Sequence, residues 1–290
     1  MTKWLILVGM MIIACIVEWI REIVTFKVTH YHVRSGKLNE MNRERRIVFL
    51  SDLHNNRYGK NNEKLLNAVK KQNPDLILIG GDMVVAKLSV STRISENLCK
   101  KLTEICPVYY ANGNHEQRMK IYPETCRTKY QEYKKILVNN GVRFLENEHV
   151  DLMWDHCLIQ ISGLEIPREG YKKFRKTTLS LEQMKECLGH VDANKYQILL
   201  AHNPIYMDTY LEWGSDLVLS GHLHGGVVRI PGIGGMITPQ FHMFPKYSGE
   251  LTEHDGKTVI VSKGLGTHTI KVRFLNPAEL IVLHINGNAI

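Results

Sequence analysis

Ile47-Val48-Phe49-Leu50-Ser51-Asp52-Leu53-His54 is an apolar run that ends in a corner of polar residues. The same arrangement, a short apolar run followed by a corner of Gly or polar residues, recurs four times along the chain. The other corners are Gly80-Gly81-Asp82, Gly113-Asn114-His115-Glu116, Ala201-His202-Asn203 and Gly221-His222-Leu223-His224. Such apolar runs predict buried strands that present side chains at their carboxyl ends. Because open α/β sheets place their active sites at that edge, the five corners predict one common site.

The corners supply two aspartates, one asparagine and four or five histidines, without a thiolate. Oxygen and imidazole donors suit borderline divalent ions such as Mn, Fe, Co or Zn, and they disfavour a structural cysteine-type zinc site. The set is too large for a single tetrahedral ion. It suits two metal ions that share a carboxylate ligand. Two metal ions about 3.5–4 Å apart are typical of phosphatases and nucleases.

The ordered set D-x-H, G-D, G-N-H-E, H and G-H-x-H resembles the calcineurin-like metallophosphoesterase superfamily over residues 47 to 224, and the tail to Phe274 is similar to a bacterial, membrane-anchored phosphodiesterase branch. The resemblance implies two divalent metal ions, with Mn preferred and Fe or Zn as alternatives. In the superfamily's pattern the metal ligands would be Asp52, His54 and His224 for the first ion, Asn114, His202 and His222 for the second, and Asp82 for both. His115 would bind no metal and would be catalytic.

The same resemblance implies metal-assisted hydrolysis of a phosphodiester or pyrophosphate bond. Two cations lower the pKa of a shared water toward neutrality, and the resulting metal-bound hydroxide would attack phosphorus in line. His115 would stabilise developing charge or protonate the leaving oxygen. Glu116 is predicted either to orient His115 or to cap the following helix, and the sequence leaves both roles open.

The remaining histidines lack the shared spacing, flanking glycine and order of the five corner histidines. They are interpreted as ordinary surface or core residues, including His268 in a glycine-rich loop. They are His30, His32, His149, His156, His190, His242, His254, His268 and His284.

Helices and strands alternate up to about Gly141, after which the chain becomes rich in strands. Helices are predicted over 62–72, 95–102, 122–139 and 181–188, and an edge strand over 25–33 is predicted to turn back toward the strand at Ile47. This order predicts two mixed sheets packed face to face, a four-layer α/β/β/α sandwich with flanking helices. The predicted organisation is an N-terminal membrane anchor, residues 1–24, and one catalytic domain, residues 25–290.

The N-terminus has an uncharged, apolar stretch from Trp4 to Val17, extended by Trp19 and Ile20. The stretch is short beside the roughly 20 residues of a full span. An uncleaved anchor with Trp4 and Trp19 at the two interfaces is the favoured interpretation. A helix lying in one leaflet, a cleaved signal peptide and a lipoprotein signal at Cys15 are the alternatives.

Charge on the two sides of this stretch predicts its orientation. Lys3 stands alone before it, whereas Arg21, Lys27, Arg34 and Lys37 follow it. Because basic residues favour the cytoplasmic side, the catalytic domain is predicted to be cytoplasmic.

The composition of the 290 residues, 44% hydrophobic and 23% charged, is that of a globular protein. The six cysteines include no C-x-x-C pair, which favours free thiols and a reducing compartment. A net charge of +8 suits nucleic acid, an anionic membrane or a phosphorylated substrate without choosing among them.

The substrate is predicted by exclusion. Protein phosphatases of the superfamily carry G-D-x-x-D-R-G, whereas Gly81-Asp82-Met83-Val84-Val85-Ala86-Lys87 lacks the second aspartate and the arginine. What remains is a phosphodiesterase or pyrophosphatase acting on a phosphorylated small molecule or lipid, namely a lipid, nucleotide or envelope precursor. The anchor and the apolar segment Gly232 to Phe244, which could line an acyl groove or simply pack under the domain, favour a lipid.

Three alternatives stay open. One is an enzyme that resembles UDP-2,3-diacylglucosamine pyrophosphatase, acting in lipid A synthesis. Another is a metal-dependent nuclease, although no basic stripe interleaved with aromatic residues is present and no nucleic-acid partner is expected. The last is a non-catalytic scaffold, which a full set of ligand positions disfavours.

Overall fold

The computed structural model describes residues 2–122, 124–172, 177–226, 229–230, 234–236, 243–267 and 272–288. In chain order the strands are β1 (Phe26–Ser35), β2 (Arg45–Leu50), β3 (Leu76–Ile79), β4 (Val108–Ala111), β5 (Val142–Leu145), β6 (Glu148–Trp154), β7 (Cys157–Leu164), β8 (Tyr196–Ala201), β9 (Leu217–Ser220), β10 (Arg229–Ile230), β11 (Gly234–Gly235), β12 (Leu251–His254), β13 (Lys257–Val261) and β14 (Ala278–Gly287). The α-helices are α1 (Thr2–Val24), α2 (Glu63–Lys71), α3 (Arg93–Thr103), α4 (Asn114–Ile121), α5 (Glu124–Asn139), α6 (Leu181–Leu188) and α7 (Met207–Trp213).

Two six-stranded mixed sheets form the body of the domain. The first has the order β1-β14-β2-β3-β4-β5, and its strands from β2 to β5 are parallel. The second has the order β12-β13-β9-β8-β7-β6, with parallel pairing from β13 to β7. Parallel pairing in both sheets brings the carboxyl ends of the central strands to a common edge.

The alternation of side chains along a strand builds the layers. In β2, Ile47 and Phe49 pack in the apolar core between the two sheets, whereas Val48 and Leu50 pack in the core that contains α2, α3 and α5. A third apolar core joins the second sheet to α6 and α7. All four of these β2 side chains are fully buried, as expected of a strand covered on both faces. The α/β/β/α sandwich predicted from the sequence is confirmed.

Two features of the fold differ from the sequence prediction. β1 is an edge strand as predicted, but it pairs in parallel with β14 rather than with β2. Helices α4 and α7 were not predicted, because α4 follows directly on a polar corner and α7 spans only seven residues. A single turn or two of helix carries too few periodic positions to be recognised from its pattern.

Helix α1 extends beyond the uncharged stretch. Residues Lys3–Val24 are long and apolar enough to cross a membrane, and the window concerned is not buried against the domain. The last turn of the helix contacts the domain: the Glu22 side chain is buried, and its carboxylate accepts hydrogen bonds from the backbone N–H of Asn276 at 2.9 and 3.0 Å. α1 has the length and composition of a membrane anchor or a signal sequence.

Candidate metal centre

The corners predicted to form one site lie at the carboxyl ends of strands in both sheets. Asp52 and His54 follow β2, Asp82 follows β3, Asn114 begins α4 after β4, His202 follows β8, and His222 and His224 follow β9. The loops from the two sheets meet, since the backbone N–H of His222 donates to both Asp52 carboxylate oxygens at 3.1 and 3.0 Å. The site therefore lies across the edge that the two sheets share.

One group of donors consists of Asp52, His54 and His224, all buried. His224 Nε2 lies 3.4 Å from Asp52 Oδ1 and 3.2 Å from His54 Nε2. These atoms are separated by the distances that neighbouring ligands of one metal ion would have, given metal–nitrogen and metal–oxygen bonds of roughly 2.0–2.2 Å.

A second group consists of Asp82, His202 and His222, also buried. His202 Nε2 lies 3.3 Å from Asp82 Oδ2 and 3.8 Å from Asp52 Oδ1. Asp82 Oδ2 is also 3.6 Å from His54 Nε2 in the first group. Asp82 thus faces donors of both groups, as a carboxylate shared by two ions would.

Asn114 and His115 occupy the first turn of α4 beside Asp82. The backbone N–H of His115 donates to Asp82 Oδ1 at 2.7 Å, and the buried Oδ1 atom of Asn114 has no hydrogen-bond partner among the described residues. A buried amide oxygen without a donor costs free energy, so its neighbourhood calls for a cation or a water. The donor atoms of His115, His54 and Asp82 also lie within 4.8 Å of one another.

Backbone carbonyls orient two of the imidazole rings. His202 Nδ1 is 2.6 Å from the carbonyl oxygen of Gly80, and His224 Nδ1 is 3.1 Å from that of Gly266. Because a carbonyl only accepts, the proton of each neutral ring lies on Nδ1 and the Nε2 lone pair points into the cluster. Outer hydrogen bonds of this kind are typical of metal-ligating histidines.

The electrostatics of the cluster favour bound positive charge. Burial alone would raise the pKa of Asp52, yet His224 and His202 hold it below its ordinary value. Burial alone would lower the pKa of His202, but the carboxylates of Asp82 and Asp52 outweigh it and raise that pKa to about 10. Two buried carboxylates therefore need cationic partners, either protons on the imidazoles or metal ions.

The backbone around the cluster is held in an unusual conformation. Among the seven residues predicted as metal ligands, five have a positive φ: Asp52 (55°), His54 (46°), Asp82 (53°), His222 (67°) and His224 (50°). Asp and His visit the left-handed region more often than other side chains do, but each such residue still costs of order 1–3 kcal/mol. Strain concentrated at these positions is typical of a functional site.

Two glycines allow the loops to approach one another. A Cβ atom on Gly221 would lie 2.1 Å from Ser51 Oγ and 2.2 Å from Asp52 Oδ2, and one on Gly113 would lie 2.2 Å from Asp82 Oδ1. Both glycines belong to the corners quoted from the sequence. Their role is close packing against the two carboxylates.

Glu116 resolves the choice between its two predicted roles. Its carboxylate accepts from the backbone N–H of Asp82 at 2.8 Å and of Gly113 at 3.0 Å, and from the hydroxyl of Tyr110 at 2.7 Å. It therefore caps α4 and holds the Asp82 loop. The His115 ring is instead positioned by the backbone N–H of Ala86, which donates to Nδ1 at 2.9 Å. Since an N–H only donates, the neutral His115 ring carries its proton on Nε2.

The sequence did not indicate three residues that support the centre. Tyr171 packs edge-on against His222 with ring centroids 5.2 Å apart. Asn276 Nδ2 donates to the carbonyl of His224 at 2.7 Å, and Arg273 Nη2 donates to that of Gly266 at 2.5 Å. Gly266 is the residue whose carbonyl orients His224. No local motif marks these side chains: Tyr171 and Asn276 contact residues in distant parts of the chain, and Arg273 contacts a carbonyl seven residues earlier through a loop without a recognisable pattern.

Some sequence predictions lie partly or wholly outside the described residues. His242 and His268 are among them, and so is most of the apolar segment from Gly232 to Phe244. Elsewhere, His32 and His284, which were interpreted as ordinary residues, form an exposed to half-buried cluster with Glu44 on the first sheet.

Comparison with known proteins gives a family match over the part of the chain that contains the cluster. Residues 45–226 match the model of the calcineurin-like phosphoesterase family. The chain belongs to this family. It is 28% identical over 266 residues to an uncharacterized metallophosphoesterase of Aquifex aeolicus, covering 90% of this chain and 92% of the relative. It is 26% identical over 225 residues to the phosphodiesterase YaeI of Escherichia coli, covering 77% and 75%.

A third relative is a transmembrane protein with a metallophosphoesterase domain from Danio rerio. The identity is 25% over 264 residues, which is 88% of this chain but 56% of the relative. Family membership makes this protein a metal-dependent phosphoesterase. Its buried Asp/His cluster could hold metal ions.

Proposed function

We propose that the protein is a membrane-anchored phosphohydrolase that uses two divalent ions, Mn by preference, to hydrolyse phosphodiester or pyrophosphate bonds of a lipid-linked or envelope substrate. The observation that carries the proposal is the convergence of two donor groups on Asp82, whose Oδ2 is 3.3 Å from His202 Nε2 and 3.6 Å from His54 Nε2. One group would hold one ion and the other would hold the second, with Asn114 completing the second group.

The proposed chemistry divides between the ions and the chain. Bound divalent ions would supply Lewis-acid stabilisation of the phosphoryl oxygens and a nucleophile at neutral pH. His115 would donate a hydrogen bond from Nε2–H to the leaving oxygen, and Ala86 would keep the ring in that tautomer. Glu116 would hold the Asp82 loop and α4 in register while the substrate binds.

Hydrolysis of bis-p-nitrophenyl phosphate and p-nitrophenyl phosphate tests the proposed activity. We expect the metal-stripped full-length protein in detergent to regain diester hydrolysis with Mn²⁺, and monoester hydrolysis to be weaker under the same conditions. The reason is that both ester oxygens of a diester can be accommodated, whereas a monoester places an extra negative charge among the carboxylates. Faster hydrolysis of the monoester with every metal would reject the phosphodiesterase proposal in favour of a phosphatase.

The membrane anchor is proposed on the exposure of α1 and on the similarity to the Danio rerio transmembrane protein with a metallophosphoesterase domain. The 22 residues of Lys3–Val24 would span about 33 Å as a helix, which matches a hydrocarbon core of about 30 Å. The basic residues Arg21, Lys27 and Arg34 after the helix support a cytoplasmic catalytic domain. The buried contact between Glu22 and Asn276 supports a site close to the membrane surface, because Asn276 also holds the His224 loop.

Alkaline extraction tests the anchor. We expect the full-length chain to stay in the membrane pellet, whereas Ile12→Arg/Ile13→Arg should release it. Each Arg at the centre of a span costs about 2.5–3.5 kcal/mol on the insertion scale. Lys27→Gln, outside the helix, serves as the control and should remain in the pellet. An intact mass that lacks the first 20 or so residues would instead identify a cleaved signal sequence.

A further inference from the structure

A cavity of about 310 Å³ lies next to the candidate metal centre. Its described lining residues are Ala86, Arg118, Met119, Tyr122, Cys126 and Arg168. Its wall touches the centre directly, because the backbone N–H of Ala86 donates to His115 Nδ1 at 2.9 Å. A cavity of this size is at the lower end of small-molecule pockets and suits one substituent of a substrate.

Three segments that line the cavity also reach the centre. Ala86 lies four residues after Asp82 in the same loop, and Arg118 lies four residues after Asn114 on α4. Residues four apart on a helix share a face, so Arg118 projects from the side of α4 that carries Asn114. Arg168 begins a 3-10 turn (Arg168–Tyr171), and Tyr171 packs against His222. The cavity is thus an extension of the site.

The cavity is electropositive. Two of its lining residues are arginines, and none of the six described lining residues is acidic. The Arg168 guanidinium stacks over the Tyr122 ring at 4.0 Å from the centroid, which holds it in place. Among the described residues neither arginine forms an ion pair within 4.0 Å, although Arg168 also interacts electrostatically with the adjacent Glu169. A guanidinium presents a planar fork of donors that matches phosphate geometry.

We propose that this cavity is a subsite for a second phosphoryl group of the substrate, on the leaving-group side of the phosphorus that is attacked. The proposal rests on the proposed function and narrows its substrate class to diphosphates. His115 lies between the cluster and the cavity wall, so Arg118 and Arg168 would bind the substituent of a leaving oxygen held near this residue. Water adds to one phosphorus, the bridging P–O bond breaks, and the leaving phosphate takes the electron pair of that bond and one proton of the added water.

Inhibition of bis-p-nitrophenyl phosphate hydrolysis by inorganic phosphate and by methylenediphosphonate tests the subsite, with free Mn²⁺ held constant by a metal buffer. We expect the diphosphonate to inhibit the wild-type protein about 10- to 100-fold more strongly than phosphate, as charge-assisted hydrogen bonds to a second anion allow. Arg118→Ala/Arg168→Ala should reduce that selectivity at least about 10-fold and leave inhibition by phosphate unchanged.

Two further variants separate the role of the Arg118 and Arg168 guanidinium groups from the effects of net charge and of misfolding. Arg143→Ala removes an exposed arginine on β5 and should keep the full selectivity, which controls for net charge. Arg118→Lys/Arg168→Lys keeps the charge but removes the fork, so it should show an intermediate selectivity, and it replaces the alanine variant if that does not fold. Equal inhibition of wild type by the two anions, or full selectivity in both double variants, would overturn the subsite.

Failure of the subsite and failure of the proposed function give different results. If no metal restores diester hydrolysis, the proposed function is rejected, and calorimetric binding of the diphosphonate to wild type and to both double variants then decides the subsite. If hydrolysis is present, ADP-ribose and CDP-diacylglycerol in mixed micelles distinguish a soluble from a lipid-borne diphosphate. The assignment to diphosphates would be contradicted if neither ADP-ribose nor CDP-diacylglycerol is hydrolysed and Arg118→Ala/Arg168→Ala loses as much diester activity as it loses selectivity for the diphosphonate.

Discussion

Asp82→Asn is expected to lose at least one of the two proposed metal ions and roughly 10³-fold or more of diester hydrolysis, since metal ions supply several kcal/mol of transition-state stabilisation. The Asp82 carboxylate is buried and faces His202 on one side and His54 on the other. An asparagine can still accept the hydrogen bond from the backbone N–H of His115, so the loop geometry should persist. Its neutral amide would present an N–H₂ donor to imidazole nitrogens, and the shared negative charge would be gone.

Metal content by elemental analysis and diester turnover, measured on the same preparation, check this result. Asp151→Asn, on β6 at the far edge of the second sheet, makes the same chemical change away from the centre and should keep both metal and activity. If Asp82→Asn retained two equivalents of metal with full turnover, a shared carboxylate at this position would be ruled out.

His115→Ala should keep its metal and lose about 10²- to 10³-fold of turnover, the range for removing one hydrogen bond to developing negative charge. The ring nitrogen Nδ1 accepts the Ala86 N–H, so the opposite nitrogen presents the N–H that can donate a hydrogen bond to a leaving oxygen. The loss should be larger for diesters with an alkoxide leaving group than for those with p-nitrophenolate, because more negative charge develops on the oxygen of a poor leaving group.

A comparison of leaving groups, with metal content determined in parallel, separates this role from metal binding. His149→Ala, an exposed histidine on β6, is the matched substitution and should be without effect. Since the donor atoms of His115 lie within 4.8 Å of those of His54 and Asp82, a ligand role is the competing possibility. Metal loss as large as in Asp82→Asn, with equal effects on all leaving groups, would assign His115 to the metal instead.

The part of the site that could be predicted from the sequence consists of residues that lie just after the ends of strands. Asp52, Asp82 and His202 each come one to three residues after the apolar end of a buried strand, so their convergence required that the strands be parallel and that the two sheets pack with these ends together. The glycines in the same corners pack against the carboxylates, which explains why the motifs are dense in glycine. These local relations are visible in the sequence because they are set within a few residues.

The remainder depends on partners that are distant along the chain. β1 pairs with β14, so that Phe26 lies beside Ala278, and no pattern within either strand specifies that choice over β2. Asn276 donates to the carbonyl of His224 in another loop, and Arg118 and Arg168 line one cavity only when α4 and the 3-10 turn are in place. The left-handed backbone of Asp52 and His224 is likewise imposed by the surrounding contacts.

The short junction between α1 and β1 limits how far the candidate metal centre can move relative to α1. Only Thr25 separates the two elements, and it is itself bound, through its N–H at 3.0 Å and its hydroxyl at 2.7 Å, to the carbonyl of Arg21. With α1 in a bilayer, no linker longer than Thr25 would separate the domain from the membrane-embedded helix. It would meet molecules that diffuse laterally in its own leaflet and could not reach across to a facing membrane.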